Sequence, residues 1–453
     1  MSDFSSHIPK YCSRVLKLVR DSGYEAYVVG GAVRDIARGF TPSDFDVAVS
    51  CPPAKTMEIL SSAGIEYVDN AIKHGTVMAI LDGHKLEMTT FRIDGSYTDV
   101  RRPDSVDFTS SINEDVKRRD FTMNALYLDD TGALKDFVGG LSDIENRIIR
   151  TVGDPDKRFE EDALRILRGL RFASSTGFAI EENTMAAMVK HAPLLKKISA
   201  ERIQVEFNGI VTGEFGPDVI LKSVPILKII IPEIKYCENF LQYSKYHDRD
   251  VLTHISDVMR GLPLVDGKRD LNLSLAAFFH DISKPVCFYV DCSGGHMKRH
   301  PIYSEKIADR FLTDFKYPVS VHKDVCNLVR LHDTYAKTTK SDVHRFVADN
   351  SPEFCERLFV LQKSDILAHS PRGLSRMERL DEIRDVFAML KEDGAVFDMS
   401  SLEVSGRDII DRGVKAGPQV GEVLGKVWNA YLNGEVPNLK DKLLLFVDKC
   451  LAN

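Results

Sequence analysis

Several absences narrow the reading of this 453-residue chain. Its eight cysteines are scattered without a CxxC pair, Cys287 and Cys292 being the closest two. That spacing argues against a structural zinc site and fits reduced thiols in a cytosolic protein. No apolar stretch approaches the roughly 20 residues of a membrane span. The opening MSDFSSHIPK has no signal-peptide core, so a cytoplasmic protein without membrane contact is expected. A formal charge of -7 excludes a uniformly basic coat for nucleic acid, though it leaves room for a local basic strip. There is no internal repeat and no low-complexity segment, and the only tryptophan, Trp428, is placed for packing rather than base stacking.

What is present is too long for one core, so about two to four domains are expected. The apolar period changes once. Up to about residue 150, short or alternating runs (Tyr27 to Val29, Val47 to Val49, Val77 to Leu81, Leu86 to Phe91, Ala125 to Leu128) predict a mixed sheet with flanking helices. From Asp156 onward the spacing is mostly helical. Boundaries are expected at Tyr243 to Asp250 and near Lys391 to Met399, which gives segments 1–150, 151–242, 243–395 and 396–453 and an α+β fold class.

Asp44 and Asp46, in the run YVVGGAVRDIARGFTPSDFDVAVS, are the most informative pair. On a strand they would share one face while Phe45, Val47 and Val49 take the other, presenting two carboxylates to hard divalent cations. Gly30 and Gly31 follow an apolar strand and precede a short helical stretch with Arg34, where backbone amides can approach a phosphate closely. A plain Gly-Gly turn with solvated aspartates has the same short signature. The longer string GGAVRD followed by PSDFD resembles the active-site motif of the nucleotidyltransferase superfamily, in the branch of class II CCA-adding enzymes and bacterial poly(A) polymerases.

Other segments extend that resemblance. In KLEMTTFR, Leu86 and Met88 would face the core and leave Glu87 beside the aspartates, a third carboxylate for the metals or an ordinary exposed Glu. In RRDFTMNALYLD, Arg119, Asp120 and Asn124 bring together a cation, a carboxylate and an amide. Taken alone these make a cap and a salt bridge; the resemblance implies contacts to the ribose. The loop DGSYTDVRRPDSVDF, with Arg101 and Arg102, is a surface loop by composition, and the resemblance ties it to full CCA addition. One helix from near Asp156 is predicted to bury Phe159, Ala163, Ile166, Leu167 and Leu170 and to cluster Arg158, Glu161, Asp162 and Arg165 on its polar face. A solvated face with ion pairs accounts for that cluster, whereas EDxxR resembles the nucleotide-reading motif, with Asp162 and Arg165 meeting the base edge and Arg168 supporting helix or primer. KKISAERIQVEF, with Glu201 and Arg202, resembles the motif that buttresses the reading helix. The tail from Gly406 also resembles the C-terminal region of these enzymes.

A second constellation lies between: His254, the pair His280 and Asp281, His300, His332 and Asp365, each at the edge of a helical apolar run. Imidazoles with carboxylates suit a transition metal or Mg2+ with sites open for phosphate. The order resembles the HD phosphohydrolase domain, with Ser283 where many members have Gly. The resemblance implies core ligands His254, His280, Asp281 and Asp365, with His300 and His332 as a second shell or second metal site.

The expected architecture is therefore a nucleotidyltransferase head with a mixed sheet, then an all-α neck, HD domain and tail. The expected activity is addition of C, C and A to tRNA 3' ends from CTP and ATP with Mg2+, joined to phosphatase or 2',3'-cyclic phosphodiesterase chemistry. A terminal A-adding enzyme, a poly(A) polymerase and an HD hydrolase with an inactive, tRNA-binding transferase half are the alternatives. Oligomeric state is left open by the sequence.

Overall fold

The computed structural model describes residues 4–69, 72–94, 106–242, 247–292 and 294–452. Arg101 and Arg102, with most of their loop, lie outside the described residues. Chain contacts group the protein into two units, Met1–Lys235 with Asp266–Lys268, and Tyr236–Val265 with Arg269–Asn453.

The first unit is built on strands β1 (Ala26–Val29), β2 (Asp46–Val49), β3 (Glu66–Val68), β4 (Thr76–Leu81), β5 (His84–Thr90), β6 (Arg92–Asp94), β7 (Val106–Phe108), β8 (Leu126–Leu128) and β9 (Leu134–Asp136). Seven of them form one mixed sheet in the order β3-β4-β5-β2-β1-β8-β9, while β6 and β7 pair as a separate ribbon. β2 runs parallel to β5 and antiparallel to β1. All four residues of β1 are buried, as a strand inside a sheet covered on both faces must be. Tyr27, Val29, Ala48, Phe91 and Tyr127 pack into one buried cluster with Val116, Ala125 and Val152. The helix Lys10–Asp21 buries Cys12, Val15, Leu16 and Val19, an i, i+3, i+4, i+7 stripe.

Two local expectations are corrected. β2 begins at Asp46, so Asp44 and Phe45 precede the strand instead of lying in it, although the alternation survives: Phe45 is buried between exposed Asp44 and Asp46. The single helix expected from Asp156 is two helices, Pro155–Glu161 and Leu164–Thr176, broken where Asp162 takes φ -141 and ψ 101. The break has a local cause. Asp162 Oδ1 accepts the Leu164 amide at 3.0 Å, and a short carboxylate that bonds a nearby backbone amide competes with helix continuation.

Among the described residues the second unit is mainly helical, with a ribbon of Tyr289–Asp291 and Gly294–His296. Its last part, from Leu402 to Val447, packs around a core of its own that includes Ile409, Val423, Val427 and Leu443, with Trp428 partly buried against it.

Candidate active sites

Among the described residues, each unit carries a convergent polar site. In the first, Asp46 stands directly opposite Glu87 across the parallel β2/β5 pair. In-register neighbours on parallel strands share a face, and both side chains are exposed while Leu86 and Met88 are buried. Gly30 closes the site from β1. It adopts φ +70, which disfavours any side chain, and a Cβ there would lie 3.9 Å from Asp46 Oδ2. Although Asp46 reaches solvent, the protein packed around its carboxyl raises its pKa; Glu87 and then Asp44 add to this, and Arg119 opposes it. Asp46 beside Glu87 and Asp44 makes a carboxylate donor set whose crowded negative charge a divalent cation relieves.

The basic residues of the other motifs form a chain of contacts of their own. Arg34, from the helix Gly31–Ala37, pairs two nitrogens with Asp35 at 3.0 Å and donates its third to Asn124 Oδ1 at 3.0 Å. Asn124 Nδ2 lies 3.4 Å from Asp120 Oδ1, and Arg168 grips Asp120 Oδ2 through Nε at 2.9 Å and Nη2 at 2.7 Å. Burial alone would raise the Asp120 pKa, but Arg168 lowers it, so the carboxylate is charged. Motif residues far apart in sequence thus meet as one network.

Arg119 is held differently. Its Nε donates to the Tyr127 hydroxyl at 2.7 Å and its Nη2 to Asp115 at 3.1 Å, and its guanidinium lies 4.8 Å from the Tyr127 ring centre. Asp115, fully buried, also accepts from the Tyr127 hydroxyl at 2.7 Å and Arg118 at 2.7 Å. Sequence reasoning missed Asp115 and Tyr127. The only signal was a tyrosine inside an apolar run and an acid four residues before Arg119.

The Asp162 and Arg165 side chains take other partners, while the Arg165 amide donates to the Asp162 carbonyl at 3.0 Å. Arg202 Nη2 donates to Asp162 Oδ2 at 2.7 Å, which is the buttressing contact expected of the KKISAERIQVEF segment. Arg165 is buried, and donates to Glu161 at 2.7 Å and to the carbonyls of Arg158 and Arg118 at 3.0 Å each.

The second unit brings together all six residues of the other constellation. His254 Nε2 lies 3.0 Å from Asp365 Oδ1 and 3.3 Å from Asp281 Oδ2, and His280 Nε2 lies 3.2 Å from that same Asp281 oxygen. The other oxygen, Oδ1, faces His300 Nε2 at 3.1 Å and His332 Nε2 at 3.6 Å. Asp281 therefore spans two ligand sets.

The orientation of the imidazoles tests whether a metal fits. Nδ1 of His280, His332 and His300 lies 2.7, 2.7 and 3.0 Å from the carbonyls of Ala277, Val329 and Met297. A carbonyl only accepts, so each Nδ1 carries a hydrogen, and Nε2 is the ring atom turned inward, where it can ligate a cation. Inward nitrogens then approach one another, His254 to His280 at 3.4 Å and His300 to His332 at 3.2 Å. Burial alone would raise the carboxyls of Asp281 and Asp365. His280 and Lys284 beside Asp281, and His254 and His369 beside Asp365, hold both well below the usual range. Convergent ring nitrogens and buried anions fit divalent cations of the Mn, Fe, Ni or Mg type.

Lys284, His247 and His369 were not anticipated. Lys284 Nζ sits 2.5 Å from Asp281 Oδ2, and His369 Nε2 lies 3.7 Å from Asp365 Oδ1. Spacing could have suggested two of them: Lys284 follows Asp281 by three residues and His369 follows Asp365 by four, helical neighbours in each case. These groups line a cavity of about 520 Å³ with Gln242, Arg299 and Arg376.

Comparison with known proteins identifies the family. Residues 26–150 match the "Poly A polymerase head domain" family, 177–237 the "Probable RNA and SrmB- binding site of polymerase A", and 301–447 a "tRNA nucleotidyltransferase domain 2" family. The chain is 32% identical to the CCA-adding enzyme of Leuconostoc mesenteroides over 433 residues, 95% of this chain and 94% of that one. It belongs to the CCA-adding enzymes. The family's Geobacillus stearothermophilus member is 33% identical over 435 residues, covering 95% and 94% of the two chains. The crystal structure of the Bacillus stearothermophilus CCA-adding enzyme in complex with CTP superposes with a TM-score of 0.73 at 28% identity, covering 100% of this chain and 98% of that one. A Thermotoga maritima CCA-adding enzyme complexed with tRNA shares the fold at a TM-score of 0.62 and 19% identity, over 99% of each chain. The chain is thus a tRNA nucleotidyltransferase with an α+β head and a helical remainder. Among the described residues, no helix is long and apolar enough to cross a membrane.

Proposed function

We propose that this CCA-adding enzyme adds C, C and A in turn to tRNA 3' ends from CTP and ATP, with Asp44, Asp46 and Glu87 holding two Mg2+ ions. The observation that carries the reading is the in-register Asp46 and Glu87 pair with Gly30 against it. When bound, such ions lower the pKa of the attacking 3'-hydroxyl and neutralise the triphosphate.

The chain's own part is positional. Gly30 and Gly31 let the triphosphate come close, and Arg34 and Arg119 offset its charge. Asn124 and Asp120, tied to Arg168, hold the ribose hydroxyls. Asp162 and Arg165 read the base, fixed by Arg202 and Glu161, and Arg165 must exchange at least one partner as the base arrives. The tRNA backbone is gripped along a basic strip, so binding weakens with salt. The work is placed in the cytoplasm, and the segments 1–150, 151–242, 243–395 and 396–453 are read as head, neck, HD domain and tail.

In the second unit, His254, His280, Asp281 and Asp365 would hold one cation and Asp281, His300 and His332 another, supplying Lewis-acid chemistry on a phosphate ester. Lys284 steadies Asp281, and the polar cavity admits a phosphorylated or cyclic-phosphate RNA end. The deciding experiment sequences the 3' ends made by the purified protein from tRNA lacking CCA. Both nucleotides should give CCA ends and CTP alone CC ends; no C incorporation selects the A-adding alternative, and long A tracts on oligo(A) a poly(A) polymerase.

A further inference from the structure

We propose that Asp309, His322 and Cys326 form a zinc site separate from both clusters above. Asp309 lies on the helix His300–Asp314, while His322 and Cys326 lie four residues apart on the helix Val319–Leu331 and so share one face. One ligand atom of each residue lies within 4.8 Å of the other two. His322 Nε2 is 3.0 Å from Asp309 Oδ1 and 3.4 Å from both the Asp309 carbonyl oxygen and Thr313 Oγ1. The nitrogen thus faces three oxygens, and Cys326 beside them is buried.

A surface ion pair accounts for Asp309 and His322 but not for the thiol set against them. The His322 and Asp309 side chains are 29% and 58% exposed, which leaves an entry route from solvent. Imidazole, thiolate and carboxylate make the donor set of a tetrahedral Zn2+ with its fourth position open to water, and the thiolate sets it apart from the all-N/O sites preferred by Mg2+ or Mn2+. Among the described residues, this is the one metal-capable group that contains a cysteine. Sequence spacing hid it because its ligands come from two helices. Those helices carry His300 at the start of one and precede His332 at the end of the other, so a bound ion would staple the hairpin that presents both.

The test is a Co2+ titration of the reduced full-length protein, followed by absorption. Binding through Cys326 adds a thiolate-to-cobalt charge-transfer band in the near ultraviolet. The histidine and aspartate cluster around Asp281 contains no thiol and cannot produce that band. Cys326→Ser should abolish the band, and the solvent-facing His322→Ala should weaken cobalt uptake at least tenfold without changing the unfolding temperature of the metal-free protein. Zinc retained after desalting should fall by one equivalent in each variant. Cobalt-loaded wild type without the band, a band that survives in Cys326→Ser, or zinc content unchanged in His322→Ala overturns the proposal, and the last arm holds even if the cysteine variant fails to fold.

Discussion

Asp46 and Glu87 face each other across adjacent parallel strands, contributed by segments about 40 residues apart in the chain. Removing either carboxylate should therefore damage the same step. Glu87→Gln is expected to lower kcat for C addition on the order of 10²-fold, the scale for losing one transition-state charge contact, with tRNA affinity retained. Single-turnover kinetics with separate tRNA binding measurements would check it, and an unchanged kcat would remove Glu87 from the site.

Asp46 also makes a stability prediction opposite in direction to its catalytic one. Its folded pKa is raised, so the folded state holds that proton more tightly than the unfolded chain does. Its ionisation therefore subtracts from stability above the unfolded value of about 3.9. Asp46→Asn should unfold at a higher temperature than wild type at pH 7, with the gain vanishing below about pH 4. Calorimetry across that range measures it.

Asp115 has the opposite sign. Burial raises its pKa, but Arg119, Arg118 and Tyr127 outweigh this and lower it. Its contribution is present in full above about pH 4 and is lost as the pH falls through the depressed folded value. Asp115→Ala leaves two arginines without their buried partner and should cost about 3–5 kcal/mol. Tyr127→Phe should cost about 1–3 kcal/mol and raise KM for CTP more than it lowers kcat, because Arg119 loses the bond that orients it.

Arg202 holds Asp162 through Nη2 at 2.7 Å. Arg202→Ala should let Asp162 swing, relaxing the choice between C and A while addition continues. Competition between CTP and the other three nucleotides reads this out, and unaltered selectivity would show that Asp162 is held well enough by the Leu164 amide.

In the second unit, Asp281→Asn should remove bound transition metal and any phosphodiesterase activity while CCA addition persists. Asp281 offers one oxygen to each ligand set, so both ions should be lost together. Elemental analysis beside the two activity assays tests this; loss of a single ion would show that the sets are independent.

The elements that sequence made legible are those whose signal is local. The exposed Glu87 between Leu86 and Met88 and the two glycines after β1 were legible as strand and turn, and the alternation of Asp44, Phe45 and Asp46 was legible although β2 begins only at Asp46. The break at Asp162 was not legible, since apolar periodicity continues through it from Phe159 to Leu170 and only a carboxylate bonded to the next turn interrupts the backbone.

By itself, the sequence determined the donor types and which residues point toward a common face, because side-chain period and hydrogen-bonding capacity are properties of short segments. Tertiary structure alone decided the pairings: Asp46 with Glu87, Asp120 with Arg168, and Asp281 shared between two pairs of histidines. Partners separated by tens of residues meet through strand register and helix packing, and both are set by burial of the whole core rather than by any local pattern.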